Sequence, residues 1–592
     1  MFWLVFLLLF FGISSKKFQL FSITTEISSN NIPLLNAMVD KGGTSLIFWI
    51  FYYFKESSSN LGIFFISLFL LLFLIVSLFI LTFMILKLFK TINLKLIFKK
   101  ITSIADNIFN IKQNYIILFL FLISFIIRLI YLDSGLLHHD SVEYAIATEN
   151  TLETGKLQSV VGERYALILI NSIVYLIPHF IFDAQSSELT LNITTILFAS
   201  LSVILLYLFI QEFLNNRYIS FSSALLFSLN PIFLSTTTYA KDHAPSIFFI
   251  LLVGYSLLRI LKYDTSLYKI LFGFSIGILL FIRSSDIIVI LPFFLIYVFP
   301  HLFLKREDIV FNKKYEFKNL LLLLFPLALF LIIYFVLQYP FSLGYSDKFV
   351  NPIPDLVDIF LIIMVSSTTL GVFLVVYGTF YYLKKKKYLV LLFLIWSFLI
   401  LIFYSSFFST KLRFFVPIVI PISILMAIGL NEIKQRFGIV SHVLLIITVS
   451  LMLMFSHQAL AFRHNYSSGK EVAIYIDDVT EENALIFDWG DDSIFYDYYI
   501  KRSVIGCPYI GKEKEFNDKI NMINRALDNN IPVYLVDRCF LYGRAEELQE
   551  TIRILNENYD FKQIGEVQSE NYEDIIVLRI AEFKIYKLRK KQ

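Results

Sequence analysis

Residues 114–155 read NYIILFLFLISFIIRLIYLDSGLLHHDSVEYAIATENTLETG. The first part, 114–132, is an apolar run long enough to cross a bilayer as a helix. The second part, 136–155, holds two histidines and four acids in a chain of which only 17% is charged. A polar cluster that begins where the chain leaves the bilayer indicates a site at the membrane face.

The whole chain has the composition of an integral membrane protein. It has 592 residues, 57% of them hydrophobic, and a mean hydropathy of +0.71. We predict a polytopic α-helical membrane protein with about 12 or 13 transmembrane helices. The predicted spans are 62–90, 114–132, 188–213, 217–234, 245–263, 267–282, 285–304, 318–338, 357–383, 388–406, 414–431 and 438–458, with 1–13 as a retained anchor or short span. No basic stretch is interleaved with aromatic residues, so we expect no nucleic-acid partner.

Loop charge orients these spans. Lysine and arginine concentrate in or beside 91–113, 264–266, 305–317, 384–387 and 434–436. The positive-inside rule places all of these loops in the cytoplasm. These assignments are consistent with one another only if the apolar run 165–183 lies along the outer surface and does not cross the bilayer. The outer loops are then 133–187 and 235–244, and we expect a multi-pass plasma-membrane protein whose polar site faces outward.

Three regions follow. Residues 1–113 form an N-terminal membrane extension, 114–463 a transmembrane domain with the outer loops, and 464–592 a soluble extracytoplasmic domain. In the last region, the predicted strands are 484–488, 503–506, 532–536, 561–566, 574–579 and 583–588, and the predicted helices are 469–479, 514–529 and 545–558. This alternation predicts a small α/β domain with a mostly parallel sheet that ends in a meander.

The two cysteines follow two of these strands. Cys507 comes directly after strand 503–506, and Cys539 comes shortly after strand 532–536. A right-handed crossover would make the strands parallel and usually adjacent, with both carboxyl ends at one edge. We therefore predict a Cys507–Cys539 disulfide, which an extracytoplasmic location permits. The alternative is two small buried residues at strand ends.

Asp140, Glu143 and Tyr144 share one face of a predicted helix that Gly155 ends. One interpretation is a capping box with Asp140 as the N-cap and Glu143 as its partner. The other is a pair of catalytic acids, with Tyr144 beside them as a substrate-binding residue. A cap explains neither the adjacent histidines nor a second outer loop of similar composition.

That second loop, STTTYAKDHAPS at 235–246, carries Lys241, Asp242 and His243. It is either a solvated turn before a proline or a second half of one cavity. In a shared cavity, the two loops could supply a general base, ligands for Mg, Mn or Zn, or both. The candidate metal ligands are His139, Asp140, Asp242 and His243, although histidines in such positions are often bystanders.

Three cations lie at the predicted outer helix ends. Arg283 is in FIRSSDIIV (281–289), a tight turn between two spans, and Lys411 and Arg413 are in STKLRFFVPIVIP (409–421). They either anchor helices by snorkelling or bind a phosphate.

Four stretches resemble a known family. They are HHDSVEYAIATENTLETG (138–155), RYISFSSALLFSLNPIFLSTTTYAKDHAPSIFF (217–249), GFSIGILLFIRSSDIIVILPF (273–293) and LRFFVPIVIPISILMAIGL (412–430). In their order and predicted membrane side, they resemble the polyprenyl-phosphate-dependent glycosyltransferases of family C (GT-C), such as protein O-mannosyltransferases and the lipid A aminoarabinose transferase. The resemblance covers 114–435. The Trp-Trp-Asp motif of oligosaccharyltransferases is absent from the C-terminal domain, whose only tryptophan is Trp489.

The resemblance implies roles for individual residues. Asp140 corresponds to the catalytic base or metal-contacting acid and Asp242 to the second-loop acid. Arg283 and Arg413 correspond to the arginines that bind lipid phosphate. Many members have Asp-Glu at the first position, whereas here Glu143 follows Asp140 by three residues, so the division of labour between these acids stays open.

The implied activity is an inverting transfer of a sugar from a polyprenyl-phosphate donor, dolichyl- or undecaprenyl-phosphate, to an extracytoplasmic hydroxyl. The acceptor would be a protein, a lipid or a glycan, and Lys241 and Lys411 are further substrate-binding candidates. The alternatives are a membrane transporter or flippase of lipid-linked sugars and a non-catalytic scaffold. A transporter would place ionisable groups near mid-bilayer, whereas here they fall near predicted helix ends.

Overall fold

A computed structural model describes residues 112–304 and 356–591, together with 328 and 332. Its gaps within these ranges are 133–134, 137, 159–163, 183–186, 408–411, 466–467, 489–492, 501, 503, 509–512, 537–538, 540–544 and 574–575. The predicted spans 1–13 and 62–90, and nearly all of 318–338, lie outside the described residues. The chain forms two compact units, 1–96 with 353–365 and 97–352 with 366–592. The second unit contains the charged site and the C-terminal domain discussed below.

Within the described residues, seven helical segments are long and apolar enough to cross a membrane. They are Gln113–Ile130, Glu188–Leu214, His243–Tyr263, Ser266–Val298, Lys387–Tyr404, Arg413–Phe437 and Ile439–His457. The predicted class of a multi-pass helical membrane protein is confirmed.

The individual helices of this part are named in chain order. They are α1 (Gln113–Ile130), α2 (His139–Thr154), α3 (Tyr165–Phe182), α4 (Ser187–Leu214), α5 (Arg217–Ser228), α6 (Pro231–Thr236), α7 (His243–Tyr263), α8 (Ser266–Arg283), α9 (Leu291–Val298), α10 (Pro300–Phe303), α11 (Leu356–Leu383), α12 (Lys387–Phe407), α13 (Val419–Phe437) and α14 (Ile439–Asn465). Short 3-10 helices occupy Ser284–Ile290 and Leu412–Ile418.

Two breaks in the helices shape the site. The predicted span 217–234 is in fact two helices, α5 and α6, because Asn230 leaves the helix and its side chain caps Ile232 N at 3.0 Å. The second break is at Arg283, whose φ of −160° ends α8. Phe272 and Phe294, on either side of it, have ring centroids 6.5 Å apart. The chain therefore reverses at Arg283, as predicted.

Helix α4 defines the two ends of the bundle. Near its start, Asn192 accepts a hydrogen bond from Ala240 N at 2.8 Å, beside the second polar loop. In its last turn, Glu212 pairs with Arg259 at 3.1 Å. We call the first the Asp140 end and the second the opposite end. Helix α3 begins beside the Asp140 end, and α4 also starts there, so the chain does not change ends between them. This agrees with the predicted surface helix at 165–183, which stays a prediction.

A buried arginine ties α1 to the segment before the second polar loop. The Arg128 side chain is fully buried, and its Nε donates to Thr237 Oγ1 at 2.8 Å. Its other nitrogens donate to Ser228 O at 3.2 Å and to Ser124 O at 3.1 Å. The guanidinium also lies 4.8 Å from the centre of the Phe233 ring. Neutral acceptors and one aromatic face thus satisfy this buried cation.

The C-terminal domain is a mixed α/β structure. Its elements are α15 (Ser468–Val479), β1 (Leu485–Asp488), α16 (Ser493–Tyr499), β2 (Ile505–Gly506), α17 (Glu513–Asp528), β3 (Val533–Val536), α18 (Ala545–Asn558), β4 (Tyr559–Glu573) and β5 (Ile576–Lys590). The sheet order is β2-β1-β3-β5-β4, with β1 parallel to β2 and β3 and the last two strands antiparallel. The predicted meander is wrong: one long hairpin replaces the three predicted terminal strands. Helix α16 was not predicted.

This domain packs against the Asp140 end. Tyr498 OH donates to Glu149 of α2 at 3.3 Å, and Leu136 N donates to Tyr499 OH at 2.8 Å. Lys470 lies 3.4 Å from Glu188 at the start of α4. The domain and Asp140 therefore lie at the same end of the bundle.

The predicted Cys507–Cys539 disulfide is confirmed, with Cα atoms 5.3 Å apart. The predicted adjacency of β2 and β3 is wrong, because β1 lies between them. Both cysteines come after their strands, where the chain beyond each end can approach the other across the end of β1. The disulfide joins the two outer members of this parallel trio.

Replacing both cysteines, Cys507→Ser with Cys539→Ser, should destabilise the C-terminal domain by about 3–4 kcal/mol. The reason is that the bridge closes a loop between residues that are 32 positions apart in sequence. Proteolysis of the full chain over a temperature series measures the effect. Reductant should shift the wild type likewise and leave the double variant unchanged. The prediction would be contradicted if reductant did not change the temperature midpoint of proteolysis of the wild type.

Cysteine labelling should place the Asp140 end outside the cell. Glu482 is exposed in the C-terminal domain and Lys387 is exposed at the opposite end. In intact cells, an impermeant maleimide should label Glu482→Cys and spare Lys387→Cys. Labelling after permeabilisation is the control for access, and the reverse pattern would reject the orientation.

Candidate active site

Helix α2 begins differently from the predicted capping box. The N-cap is His138, whose Nδ1 accepts from Asp140 N at 3.1 Å. Asp140 is therefore inside the first turn, and the capping interpretation of its carboxylate is wrong. Gly155 ends the helix with φ +67°, as predicted. Because an imidazole satisfies the backbone donor, the Asp140 carboxylate is available to other side chains.

Asp140 lies at the centre of a charged cluster. Lys241 Nζ forms an ion pair with its Oδ2, and His139 Nε2 lies 3.0 Å from its Oδ1. Burial raises the pKa of Asp140, but the charge of Lys241 and the hydrogen bond from His139 outweigh burial and hold it well below the usual range. The side chain is 23% exposed, so a ligand can reach this ionised carboxylate.

Arg164 joins the two acids that the sequence analysis placed in one cavity. Its Nη1 lies 3.7 Å from Asp140 Oδ2, and its Nε lies 3.2 Å from Asp242 Oδ2. The Asp242 side chain is 1% exposed. Burial raises the pKa of Asp242, but the charge of Arg164 outweighs burial and lowers it. The two predicted outer loops thus face one site, which agrees with the shared-cavity interpretation and not with a solvated turn.

Sequence reasoning missed Arg164. It belongs to no motif, but it is the sole lysine or arginine between Lys156 and Arg217. That isolation, directly before the apolar run 165–183, was the signal that could have singled it out.

Glu143 and Tyr144 lie one turn along α2. Burial and then the charge of Asp140 raise the pKa of the half-buried Glu143. Tyr144 is buried, and the Arg164 guanidinium lies 5.5 Å from the centre of its ring. Both residues therefore border the charged cluster.

His138 connects this cluster to the predicted phosphate-binding arginines. Its Nδ1 lies 3.1 Å from Lys241 Nζ, and its Nε2 lies 2.8 Å from Arg413 Nη1. Burial, followed by the charge of Lys241, lowers the pKa of His138 well below its usual value. One neutral imidazole thus separates the Lys241–Asp140 pair from Arg413. Burial also lowers the pKa of Lys241 itself to about 8, although Asp140 opposes this.

Arg283 completes the site from the reversal after α8. Its Nη1 contacts His243 Nδ1, and its Nε lies 3.1 Å from Asp286 Oδ1. Tyr404 OH and Ser246 Oγ both donate to Asp286. The Arg283 and Arg413 guanidinium groups each lie 5.3 Å from the centre of the Phe414 ring. The structure therefore brings both arginines to one place, while Lys411 lies outside the described residues.

The residues present do not fit a divalent cation. Among the described residues, the one group with suitable spacing is His138, His139 and Asp140, whose donor atoms lie within 4.8 Å of one another. Asp242 and His243, predicted as ligands, are not in it, since they pair with Arg164 and Arg283. In the group itself, His138 and Asp140 already face Lys241 and Arg413, whose charges would repel a metal ion.

Near Asp140, three buried residues have polar atoms without a hydrogen bond, as do other buried residues elsewhere in the described part of the chain. Within the described part of the chain, Tyr144 OH, His243 Nε2 and both Asp242 oxygens are buried without a hydrogen bond, although Arg164 neutralises Asp242 electrostatically. Buried polar atoms are rarely left in this state. Their position around Asp140 marks where a polar ligand can bind.

Arg164→Met should destabilise the protein by about 3–5 kcal/mol, because the buried Asp242 carboxylate would lose its counter-charge. Thermal unfolding of the purified full chain in detergent measures this. Asp242→Asn in the same chain should recover part of the loss. Equal midpoints for Arg164→Met and the wild type would show that the ion pair does not stabilise the fold.

Comparisons with known proteins agree with the sequence resemblance. Residues 173–335 match the family of dolichyl-phosphate-mannose-protein mannosyltransferases. No curated protein matches the chain by sequence.

Among solved structures, ArnT from Cupriavidus metallidurans bound to undecaprenyl phosphate has a TM-score of 0.52 at 11% identity, over 79% of this chain and 97% of ArnT. The oligosaccharyltransferase AglB from Archaeoglobus fulgidus has 0.49 at 12%, over 76% and 73%. The S. cerevisiae Pmt1-Pmt2 complex has 0.32 at 17%, over 38% and 34%. The last two scores are too low to carry an argument. The family match over 173–335 and the fold shared with ArnT agree with the resemblance to the polyprenyl-phosphate-dependent glycosyltransferases.

Proposed function

We propose that the protein transfers a sugar from a polyprenyl-phosphate donor to an extracytoplasmic acceptor hydroxyl. The observation that carries this proposal is the bridge through His138. It places the Asp140 carboxylate and the Arg413 guanidinium one imidazole ring apart. A carboxylate for an acceptor and a guanidinium for a phosphate thus lie on either side of one imidazole ring.

The phosphate end of the donor would bind beside Phe414. Arg283 and Arg413 flank this ring, and guanidinium groups suit phosphate because their planar donors match its oxygens. As the bond between the anomeric carbon and the phosphate oxygen breaks, negative charge develops on the lipid phosphate. Fixed cations at a partly dry membrane face stabilise that charge without reorganising.

Asp140 would accept the proton of the acceptor. The hydroxyl oxygen attacks the anomeric carbon from the side opposite the phosphate, which inverts the configuration, and the hydroxyl proton passes to Asp140. Lys241 keeps this carboxylate ionised, which also weakens it as a base. Because the hydroxyl becomes acidic as the new bond forms, a carboxylate of low pKa still accepts its proton. Glu143, with its raised pKa, is the second candidate for the base.

The unused buried atoms would hold the sugar. Asp242, His243 Nε2 and Tyr144 OH, which have no hydrogen bond within the described residues, can exchange hydrogen bonds with sugar hydroxyls. A sugar is rich in such donors and acceptors, whereas a wholly apolar ligand would leave these atoms unpaired at a cost in free energy. No step in this mechanism needs a metal ion, because Lys241 and Arg164 already supply the positive charge beside the acids.

The site disfavours a transporter or flippase. A transporter places ionisable groups near the middle of the bilayer. Here Asp140, Arg164 and Lys241 are grouped beyond the ends of α1, α4 and α8, beside the soluble domain. An acceptor could approach from that side without crossing the membrane.

Asp140→Asn should lower transfer by at least about 100-fold, the smaller end of the range for loss of a general base. The readout has two stages. Mass spectra of envelope glycoconjugates from a strain lacking the protein identify the missing sugar and acceptor, and membranes from complemented strains then give the rate with that donor.

The Glu143→Gln variant is measured in the same assay as Asp140→Asn. Asp528→Asn is the control, because it makes the same chemical change at an exposed ion pair far from the site. A wild-type rate for Asp140→Asn with a large loss for Glu143→Gln would move the base to Glu143. Unaltered envelope glycoconjugates in the deletion strain would reject the proposed activity.

A further inference from the structure

A second polar site lies at the opposite end of the bundle. A cavity of about 290 Å³ opens between the α4–α5 connection, the end of α11 and the last turns of α13. Its polar lining includes Asn216, Lys385, Lys386, Asn431, Glu432 and Gln435. The ion pair of Glu212 with Arg259 lies near the same end, so the cavity is separated from Asp140 by the length of the helices.

The one carboxylate in this cavity is already neutralised. Glu432 is 1% exposed, and both of its oxygens accept from Lys385 Nζ, at 2.9 and 2.7 Å. Lys385 also donates to Gln435 Oε1 at 3.0 Å. The charge that remains in the lining is therefore the positive charge of Lys386.

Amide donors lie beside that charge. Asn431 is 6% exposed, and its Oδ1 accepts from Asn216 Nδ2 at 3.5 Å. Asn431 and Gln435 both line the cavity, so their amide nitrogens are further donors there. A lysine with two amide donors is a set of groups that binds an anion, since each can donate to a phosphate oxygen.

The surroundings of the cavity are basic and aromatic. Lys384 Nζ lies 4.9 Å from the centre of the Phe380 ring, and the Arg436 guanidinium lies 4.0 Å from the centre of the Tyr381 ring. Lysines 384–387 are all exposed. Val376 and Phe380, one turn apart on α11, also expose most of their surface. Val376 and Phe380 thus form an exposed apolar patch of α11 next to the lysine run, as at a membrane interface.

We propose that this cavity binds the headgroup phosphate of an anionic membrane phospholipid. Basic pockets between helices on the cytoplasmic side, and runs of four or more lysines beside a span, recognise such lipids. Lys386 and the amides would hold the phosphate, and the acyl chains would lie along the exposed face of α11. A free phosphate shares the headgroup chemistry but lacks the contact with that face.

The test uses the purified full-length protein in neutral detergent. Its thermal midpoint is followed while phosphatidylglycerol, phosphatidylcholine or inorganic phosphate is added. Phosphatidylglycerol should raise the midpoint, and the other two should leave it unchanged. Lys386→Gln should weaken the apparent affinity for phosphatidylglycerol about five-fold, and Gln435→Leu should weaken it as well.

Lys387→Gln is the matched control, because it removes the same charge from the same lysine run but does not line the cavity. Equal losses for Lys386→Gln and Lys387→Gln would reduce the effect to general attraction by surface charge and reject the site. An equal response to inorganic phosphate would assign the cavity to a free anion and reject the lipid. The proposal would also be overturned if the Lys386→Gln variant and the Gln435→Leu variant each bound phosphatidylglycerol with the affinity of the wild type.

Discussion

The ion pairs of Asp140 with Lys241 and of Asp242 with Arg164 are the constraint on which the site depends. These four side chains come from the start of α2, the residue before α3 and the loop before α7. Charges in so little water must be neutralised nearby, since an unpaired one loses its hydration without compensation. The three segments are therefore held at fixed positions relative to one another.

The position of the network follows from electrostatics as well. Between apolar helices and a packed soluble domain, charges interact more strongly than in bulk water. At the middle of the bilayer the desolvation of so many ions would cost too much, and in open solvent the attraction would be screened. The ends of the helices lie between these extremes, and His138 and Phe414 connect the acids to the arginines there.

Much of this arrangement could be predicted from the sequence. The alternation of apolar runs and polar loops located the helices, and loop charge placed Asp140, Asp242, Arg283 and Arg413 on one side. What failed depended on contacts between distant residues. Of the two interpretations of Asp140, the helix cap is wrong, because His138 takes that place and Lys241 and His139 engage the carboxylate. Arg164 has no periodic pattern around it, so its role emerges only when two loops meet.

In the C-terminal domain, too, some features could be predicted from the sequence and others depended on contacts between distant residues. Strand β1 inserts between β2 and β3, and local sequence contains no record of which strands pair. The disulfide was predicted correctly although one of its premises, the adjacency of β2 and β3, is wrong; the other premise, that the carboxyl ends of these parallel strands share an edge, holds. The long β4–β5 hairpin was divided too finely, since the predicted breaks at 567–573 and 580–582 lie within β4 and β5.

The buried guanidinium of Arg128 has a consequence for biosynthesis. Its acceptors Ser228 and Thr237 follow it by 100 and 109 residues, so they do not exist when α1 first reaches the membrane. Ser124, one turn earlier on the same helix, is the one partner available from the start. Arg128 therefore has its full set of acceptors only after α5 and Thr237 have been made. The order of translation thus sets the order in which this part of the bundle can close.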